Sequence, residues 1–334
     1  MSKIKVALTL GDPNGVGLEI ILSVFEEKSI YDDITPILFA PRKLVDFQNN
    51  YFKSKTSLNY IDDIQNIKDD MLNVFEIKCD DFKIRFGKQC PKAGFLSIES
   101  LKKSIELIES KMVDVLVTAP INKKSIQSKS FNFPGHTDYL NFKFEGNSLM
   151  FMISNSLRVA LVTDHVPINK VSKILSIELI ELKINQVLSS LMNDFGILKP
   201  RIAVLGLNPH AGDNGVIGKE DDRIVKPAIE KTKRINEEVN GPFAADSFFT
   251  SKNLKEYDAI LAIYHDQGLI PFKTLSFGNG VNFTAGLSLV RTSPDHGTAF
   301  DIAGLGIAKT NSYKIALLEA IKIFKTRNHL NYKI

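Results

Sequence analysis

The stretch Arg158-Val-Ala-Leu-Val-Thr-Asp164 is a short apolar run that ends in polar residues, and His165 follows it directly. Two other stretches have the same form and also precede a histidine: Arg201-Ile-Ala-Val-Leu-Gly-Leu-Asn208 before His210, and Ala259-Ile-Leu-Ala-Ile-Tyr264 before His265. Short β-branched runs bounded by polar, glycine or proline residues are typical of buried parallel strands. The three stretches therefore predict an α/β protein with a mainly parallel sheet.

The segments around these runs predict helices on both faces of that sheet. Apolar residues recur at helical spacing near 177–196 and 219–237, and again in Ser97–Lys111. Strands that alternate with helices predict a three-layer α/β/α arrangement. The length of 334 residues allows two lobes with a cleft between them. The segment Phe131–Asn147 has the composition of a crossing, so we expect one lobe at 1–130 plus 290–334 and another at 131–289.

Composition excludes several classes of protein. The net charge of +4 comes from scattered lysines, so we expect neither nucleic acid nor a membrane surface as partner. No apolar run approaches the roughly 20 residues that span a bilayer, and Ile4–Leu10 is too short for a secretory signal. The two cysteines, Cys79 and Cys90, match no metal motif. We expect a cytoplasmic protein.

The three histidines at strand ends are the strongest functional feature. Ligands in open α/β sheets gather outside the carboxyl ends of the strands, so His165, His210 and His265 are expected to converge. Three neutral nitrogens with an open fourth position describe a catalytic divalent-metal site. Three imidazoles suit zinc, cobalt and other divalent ions alike. The alternative is that each histidine is an ordinary loop residue.

Two turns are candidates for anion or ligand contact. Gly11-Asp-Pro-Asn-Gly-Val-Gly17 lies between a strand and a helix, where backbone amides can meet an anion, although a plain tight turn is the more common reading. Phe133–Leu140 places His136 and Thr137 on a turn before an apolar run. Thr137 suits a helix N-cap as well as it suits ligand contact.

The last third of the chain holds further polar candidates. Lys273, Asn282 and Arg291 stand among apolar and glycine residues and are typical of contacts to a phosphate or carboxylate. Asp266 is placed to orient a neighbouring imidazole. The stretch Asp295–Gly304 is long, polar and rich in glycine, which indicates a ligand-binding loop.

Together these stretches resemble the 4-hydroxythreonine-4-phosphate dehydrogenase family of pyridoxal phosphate biosynthesis. The resemblance runs in order from residue 11 to about 304, and its motifs are Gly11-Asp-Pro-Asn-Gly-Val-Gly, Thr118-Ala-Pro-Ile-Asn-Lys, Gly135-His-Thr-Asp-Tyr-Leu, Asp164-His-Val-Pro, Gly206-Leu-Asn-Pro-His-Ala-Gly, Gly241-Pro-Phe-Ala-Ala-Asp, Tyr264-His-Asp-Gln-Gly and Val290-Arg-Thr-Ser-Pro-Asp-His-Gly-Thr-Ala.

The resemblance implies an NAD- or NADP-dependent oxidation of the C3 hydroxyl of 4-phosphooxy-L-threonine, after which the β-keto acid loses CO2 to give 3-amino-2-oxopropyl phosphate. It implies one divalent ion (zinc, cobalt or magnesium) and a homodimer whose sites draw on both subunits. It implies a cofactor-side lobe at 1–130 plus 290–334 and a metal, substrate and dimerisation lobe at 131–289. The residues that match the family's metal ligands are His165, His210 and His265, and those that match its substrate contacts are His136, Thr137, Lys273, Asn282 and Arg291.

The stretch Asp295–Gly304 also resembles the nucleotide-binding loop of isopropylmalate and isocitrate dehydrogenases, which share this architecture. That likeness assigns cofactor binding to Asp295, His296, Gly297, Thr298 and Asp301. A proline usually stands where this chain has Phe300, and residues 30–95 depart most from the family pattern. For the group that accepts the hydroxyl proton, Lys123 and Asp266 are the candidates.

Two other functions remain open from the sequence. A sister dehydrogenase that acts on a threonate or erythronate phosphate would keep the metal and phosphate groups. A three-histidine hydrolase or lyase without nicotinamide is the other alternative, although the chain lacks His-x-His and His-Glu-x-x-His.

Overall fold

The computed structural model describes residues 3–79, 81–154, 157–234 and 236–331, and it divides into two compact units. The first comprises the chain up to Glu145 together with Ser288–Phe324, and the second comprises Gly146–Leu287 with the chain from Lys325. The chain therefore first passes from one unit to the other after residue 145, whereas the sequence suggested a lobe boundary after residue 130. As a consequence, His136 and Thr137 belong to the same unit as Arg291.

The described residues form strands and helices in alternation. In chain order the strands are β1 Ile4–Thr9, β2 Ile34–Ala40, β3 Leu58–Ile61, β4 Leu72–Glu76, β5 Val115–Val117, β6 Gly146–Ser154, β7 Leu157–Leu161, β8 Ile202–Leu205, β9 Val239–Phe243, β10 Ala259–Ala262, β11 Val281–Leu287 and β12 Arg291–Pro294. The helices are α1 Gly17–Val24, α2 Arg42–Tyr51, α3 Pro91–Glu109, α4 His136–Lys143, α5 Ile168–Ile174, α6 Ile177–Asn193, α7 Lys226–Lys233, α8 Ala245–Phe248, α9 Ser251–Glu256, α10 His265–Ser276 and α11 Asn311–Asn331.

The sheet of the first unit is parallel throughout. Its strand order is β3-β4-β2-β1-β5-β12. From β1 the chain turns to one side, through β2, β3 and β4, and then returns to the other side at β5. The strand order thus reverses between β1 and β5, and a ligand crevice in such a sheet lies outside the carboxyl ends at that reversal.

The predicted helix Ser97–Lys111 is α3, which begins earlier because Pro91 suits the first helical position. Its buried serines bind the ends of two strands. Ser97 Oγ donates to Gly11 O at 2.7 Å, and Ser100 Oγ donates to Phe39 O at 2.6 Å. These small hydroxyls fix the carboxyl ends of β1 and β2, where the crevice opens.

The second unit carries the three stretches that precede histidines. Its strand order is β11-β6-β7-β10-β8-β9, with β7, β10, β8 and β9 parallel and β6 antiparallel to both of its neighbours. The stretches form the adjacent strands β7, β10 and β8, and every residue of these strands except Arg158 is buried. The prediction of buried parallel strands in a mainly parallel α/β fold is confirmed.

Helix α10 begins at His265, just beyond β10, and it continues through Pro271 to Ser276. Buried Leu269 and Phe272 anchor this helix in the core of the second unit, which outweighs the hydrogen bond that proline removes. Among the described helices, none is long and apolar enough to cross a membrane.

Candidate functional site

The crevice of the first unit is built by three strand ends. The glycine turn after β1 donates Asp12 N–H to Pro120 O at 2.8 Å and Val16 N–H to Thr298 O at 3.1 Å. A Cβ on Gly11, whose φ is +68°, would lie 2.6 Å from Pro120 O, and one on Gly15 would lie 2.8 Å from Thr298 O. These glycines allow the turn to pack against its neighbours, which favours the tight-turn reading over an open phosphate cradle.

Arg291 is the buried cation of this crevice. It begins β12, and only 3% of its surface is exposed. Its Nε and Nη2 donate to Thr118 Oγ1 at 3.1 and 2.6 Å, and Nη2 lies 3.3 Å from His136 Nδ1. Burial lowers the pKa of Arg291 to about 10, so the guanidinium remains charged at neutral pH. A buried positive charge of this kind attracts an anionic ligand.

His136 is a neutral hydrogen-bond donor beside that cation. Burial holds its pKa well below the usual range, and the positive charges of Arg291 and Lys123 lower it further. Because Nδ1 faces the Arg291 guanidinium as an acceptor, the ring proton resides on Nε2. Nε2 is buried and has no hydrogen-bond partner within the described structure. A buried donor without an acceptor in the protein is suited to bind the oxygen of a ligand.

Thr137 and Lys123 lie near this pair. Helix α4 begins at His136, and Gly135 is its N-cap. Thr137 is therefore the second residue of the helix, and the alternative that it is an N-cap is wrong. Lys123 Cε is 4.0 Å from the point where a Cβ on Gly135 would be.

The loop that carries Lys123 is fixed by Asn122, whose Oδ1 accepts from Ser125 N at 2.9 Å. The crevice thus combines Arg291, His136, Thr118 and Lys123.

Thr118, which sequence reasoning did not single out, follows β5 directly. It is fully buried and serves as the acceptor that orients Arg291. The sequence did contain a sign of its role, because Asp114-Val-Leu-Val-Thr118 is an apolar run that ends in a polar residue. The three stretches that precede histidines have the same form.

Asp12 is an unusual carboxyl group in the same turn. It is fully buried, Oδ1 accepts from Asn14 N at 2.9 Å, and Oδ2 has no partner within the described structure. Burial raises the pKa of Asp12 from 3.8 to about 6. Between these two values the folded state binds a proton that the unfolded state has lost, so stability falls as pH rises from about 4 to about 6.

We therefore expect Asp12→Asn, which keeps the acceptor for Asn14 and removes the charge, to raise the free energy of unfolding at pH 7.5 by up to about 3 kcal/mol. The gain should vanish near pH 4, where both proteins are neutral at this site. Urea unfolding at the two pH values measures the difference, and a gain that is equal at both would contradict the assignment.

The loop Asp295–Gly304 continues from β12 into the same crevice. Asp295 N donates to Ser312 Oγ at 3.1 Å, which fixes the start of the loop. His296 Nε2 is buried without a partner within the described structure. Gly297 is exposed, and a Cβ built on it would meet no atom within 4 Å. The loop is therefore anchored at its base and open at Gly297, as a ligand-binding loop requires.

Glu19, another residue that sequence reasoning missed, fixes the chain beyond this loop. Its Oε1 accepts from Ala308 N at 3.0 Å, and Oε2 is buried without a partner within the described structure. Burial raises the pKa of Glu19, and its backbone hydrogen bonds from Ala308 and Gly304 oppose that rise. A glutamate in the first turn of a helix was not distinctive in the sequence.

In the second unit, two of the three predicted metal ligands lie together. The rings of His165 and His265 have centroids 5.7 Å apart. His265 Nδ1 is 2.7 Å from Asp266 Oδ1, and His165 Nδ1 is 3.9 Å from Asp164 Oδ2. A carboxylate beside Nδ1 is the arrangement of ligating histidines in metalloproteins, in which Nε2 is the atom that binds the metal.

His210 follows the neighbouring strand β8 but lies in a strained loop. Its φ is +54°, and Ala211, Asp213 and Asn214 also have positive φ. Buried Asp221 holds this loop by accepting from Leu207 N at 2.6 Å. In the described part of the chain no three His, Cys, Asp or Glu side chains are grouped closely enough to hold a metal. The structure thus brings His165 and His265 together and does not add His210 to them.

The start of α10 is tied to the end of β8. Gln267 Nε2 donates to Gly206 O at 2.6 Å, while its Oε1 accepts from Ile263 N at 2.7 Å. This bridge fixes the strand end before His265 to the chain that leads to His210. Lys273 lies on α10 and Asn282 lies in β11, so both belong to the second unit.

Comparison with known proteins identifies related chains. The family described as pyridoxal phosphate biosynthetic protein PdxA matches residues 32–320. A 4-hydroxythreonine-4-phosphate dehydrogenase from Bacteroides thetaiotaomicron is 43% identical over 98% of this chain and 90% of its own length. A protein from Oceanobacillus iheyensis, named provisionally as a D-threonate 4-phosphate dehydrogenase, is 34% identical over 96% of this chain and 98% of its own. The crystal structure of 4-hydroxythreonine-4-phosphate dehydrogenase from Klebsiella pneumoniae superposes with a TM-score of 0.85 and 33% identity, covering 97% of this chain and 98% of that one.

Proposed function

Because the chain belongs to the PdxA family of pyridoxal phosphate biosynthetic proteins, we propose that it is a 4-hydroxythreonine-4-phosphate dehydrogenase. It oxidises the C3 hydroxyl of 4-phosphooxy-L-threonine to a ketone with NAD or NADP as hydride acceptor. The resulting β-keto acid, 2-amino-3-oxo-4-phosphooxybutanoate, loses CO2 to give 3-amino-2-oxopropyl phosphate.

The observation that carries the proposal is the buried Arg291–His136 pair beside Thr118, the residue that follows β5. Arg291 supplies a desolvated positive charge, and His136 supplies a neutral Nε2–H without an acceptor. Both are complementary to the oxygens of a phosphorylated or carboxylated substrate. Binding energy from such a remote group holds the reacting carbon in place and lowers the barrier.

The proposed substrate contacts extend beyond this pair. The family resemblance adds Thr137, which is next to His136, and adds Lys273 and Asn282 of the second unit. Arg291 and Lys273 neutralise the anionic groups, while Asn282 and Thr137 provide polar contacts of fixed geometry.

His165, His210 and His265 are proposed to hold one divalent ion. The donor chemistry of His165 and His265 fits, because Asp164 and Asp266 face their Nδ1 atoms, as carboxylates do beside metal-binding histidines. When bound, zinc, cobalt or magnesium supplies Lewis-acid chemistry that lowers the pKa of a hydroxyl and stabilises negative charge on oxygen. Asp266 orients His265, and Lys123 and Asp266 are the candidates for taking up the hydroxyl proton.

The nicotinamide cofactor is assigned to Asp295, His296, Gly297, Thr298 and Asp301. The loop fits a bound group, because the space beyond Gly297 is open and His296 Nε2 is buried without a partner within the described structure. Asp301 is exposed and offers a carboxylate for ribose hydroxyls.

We expect Gly297→Leu to raise KM for NAD or NADP by about tenfold or more and to leave the metal content unchanged, because the new side chain occupies the open space of the loop. The melting temperature should not change, since Gly297 is exposed and its φ does not require glycine. Steady-state kinetics at saturating substrate measure the effect. Unaltered cofactor affinity would refute the loop assignment.

The family resemblance also supports a homodimer in which residues of both subunits complete each site. If so, a mixture of His136→Ala and His265→Ala proteins should regain part of the activity, because a mixed dimer contains one intact site. Activity should also fall on dilution below the dimer dissociation constant. A monomer with full activity in dilute solution would contradict this assembly.

The proposed substrate is tested by nicotinamide absorbance with two compounds compared at equal concentrations. The proposal expects a higher kcat/KM for 4-phosphooxy-L-threonine than for D-threonate 4-phosphate. The provisional name of the Oceanobacillus iheyensis relative makes the second compound the alternative substrate. The reverse preference would reassign the chain to the sister activity, and no reduction with either compound would overturn the proposal.

A further inference from the structure

Four aromatic side chains from residues 47–86 form what we call the aromatic cluster: Phe47, Tyr51, Phe52 and Phe86. The rings of Phe47 and Tyr51 lie one helical turn apart on α2, 5.8 Å between centroids and nearly parallel at 20°. Phe86 lies 5.2 Å from the Tyr51 ring and 5.9 Å from the Phe52 ring. The cluster thus presents a contiguous surface of ring faces and edges.

The cluster is not part of the core. Leu44 and Val45 of the same helix are 3% and 0% exposed, whereas Phe47 and Tyr51 are 47% and 53% exposed. Helix α2 therefore buries one face in the first unit and turns an aromatic face outward. Neighbouring aromatic rings that remain half exposed mark a surface that binds a partner or ligand.

The cluster adjoins the end of the proposed cofactor loop. Tyr51 OH donates to Gly304 O at 3.2 Å. A Cβ on Gly304, whose φ is +84°, would lie 2.6 Å from the Phe86 ring, so glycine is required for this approach. Beyond Gly304, Leu305 and Ile307 are 63% and 62% exposed and extend the apolar surface.

We propose that the aromatic cluster binds the adenine ring of the nicotinamide cofactor, an inference that rests on the proposed function. The loop assigned to the cofactor leads from Gly297 to Gly304 and is continuous with the cluster, because Gly304 contacts Tyr51 and Phe86. A purine is flat and apolar on both faces, and stacking on aromatic side chains is how proteins bind such rings. The assignment also gives a role to residues 30–95, which depart most from the family pattern.

The test uses ADP-ribose, which carries the adenine half of the cofactor and no nicotinamide. Tyr51→Ala and Phe47→Ala should each weaken ADP-ribose binding, measured by calorimetry without substrate, by about tenfold to a hundredfold. Tyr51→Phe keeps the ring and loses only the bond to Gly304 O, so its affinity should stay within about threefold of the original. Phe95→Ala is the matched control, because Phe95 is 56% exposed on α3 and outside the cluster.

In turnover, the Tyr51→Ala and Phe47→Ala proteins should show a raised KM for NAD or NADP with unchanged kcat. The inference is overturned if the Tyr51→Ala and Phe47→Ala proteins bind ADP-ribose with the affinity of the original chain. It is overturned as well if Tyr51→Phe binds ADP-ribose as weakly as Tyr51→Ala, because loss of the hydrogen bond that anchors the loop would then explain the effect. It is also overturned if the alanine variants change only self-association, which would make the cluster a contact between copies. Cluster-dependent ADP-ribose binding without oxidation of 4-phosphooxy-L-threonine would refute the proposed function alone.

Discussion

Replacement of His265 by alanine is expected to remove most of the bound metal and to lower turnover by about 10³-fold or more, and His165→Ala should do the same. The two rings lie side by side, and each has a carboxylate near its Nδ1, so the proposed metal site takes one ligand nitrogen from each. Neither side chain is buried, so the fold should remain intact.

His210→Ala tests the third ligand of the proposal. The same losses are expected, although His210 lies in the strained loop and is not grouped with the other two. His329→Ala serves as the matched control, because His329 is an exposed residue of α11 outside every motif. Metal analysis after dialysis and kcat are the measurements. Full metal occupancy with a normal rate in two of the three single variants would contradict a shared site.

Arg291→Ala is expected to lower kcat/KM for the phosphorylated substrate by about 10²-fold or more, which corresponds to roughly 3 kcal/mol of lost charge-assisted binding. The guanidinium is almost fully buried, so no water replaces the contact at low cost. Removal of its charge should also raise the pKa of His136, because Arg291 is one of the causes that hold that pKa down.

Arg291→Lys should recover part of the loss, since it retains the charge without the planar fork. Arg234→Ala is the matched control, because Arg234 is an exposed arginine of the second unit and should change kcat/KM less than twofold. Lys273→Ala tests the second proposed anion contact in the same assay. Unchanged kinetics in both Arg291→Ala and Lys273→Ala would show that these residues have structural roles only.

The strands and their ends were predictable because strands that are buried on both faces consist of consecutive apolar residues. The runs before His165, His210 and His265 are apolar because both faces of β7, β8 and β10 are covered, and their polar ends mark where the sheet stops. The ordered motifs then identified the family without any knowledge of the fold.

Other features depend on backbone geometry that residue type does not encode. The tight packing of Gly11 against Pro120 is a contact between segments far apart in sequence. The left-handed backbone at His210 is a conformation that a histidine rarely adopts. Thr118 becomes important only because β5 and β12 are neighbours, which places its hydroxyl against Arg291. Residues 30–95 had no readable motif, and the exposed rings of Phe47 and Tyr51 became evident only through their position beside Gly304.

The proposed enzyme couples hydride transfer to loss of the substrate carboxylate. The most direct test of this coupling follows nicotinamide reduction and CO2 release together, with 4-phosphooxy-L-threonine and protein reconstituted with a divalent metal. The account predicts that both products appear in equal amounts and that their rates of formation fall together in Arg291→Ala and His265→Ala proteins. Release of CO2 without nicotinamide reduction, or no reaction of this substrate under any metal and cofactor combination, would contradict it.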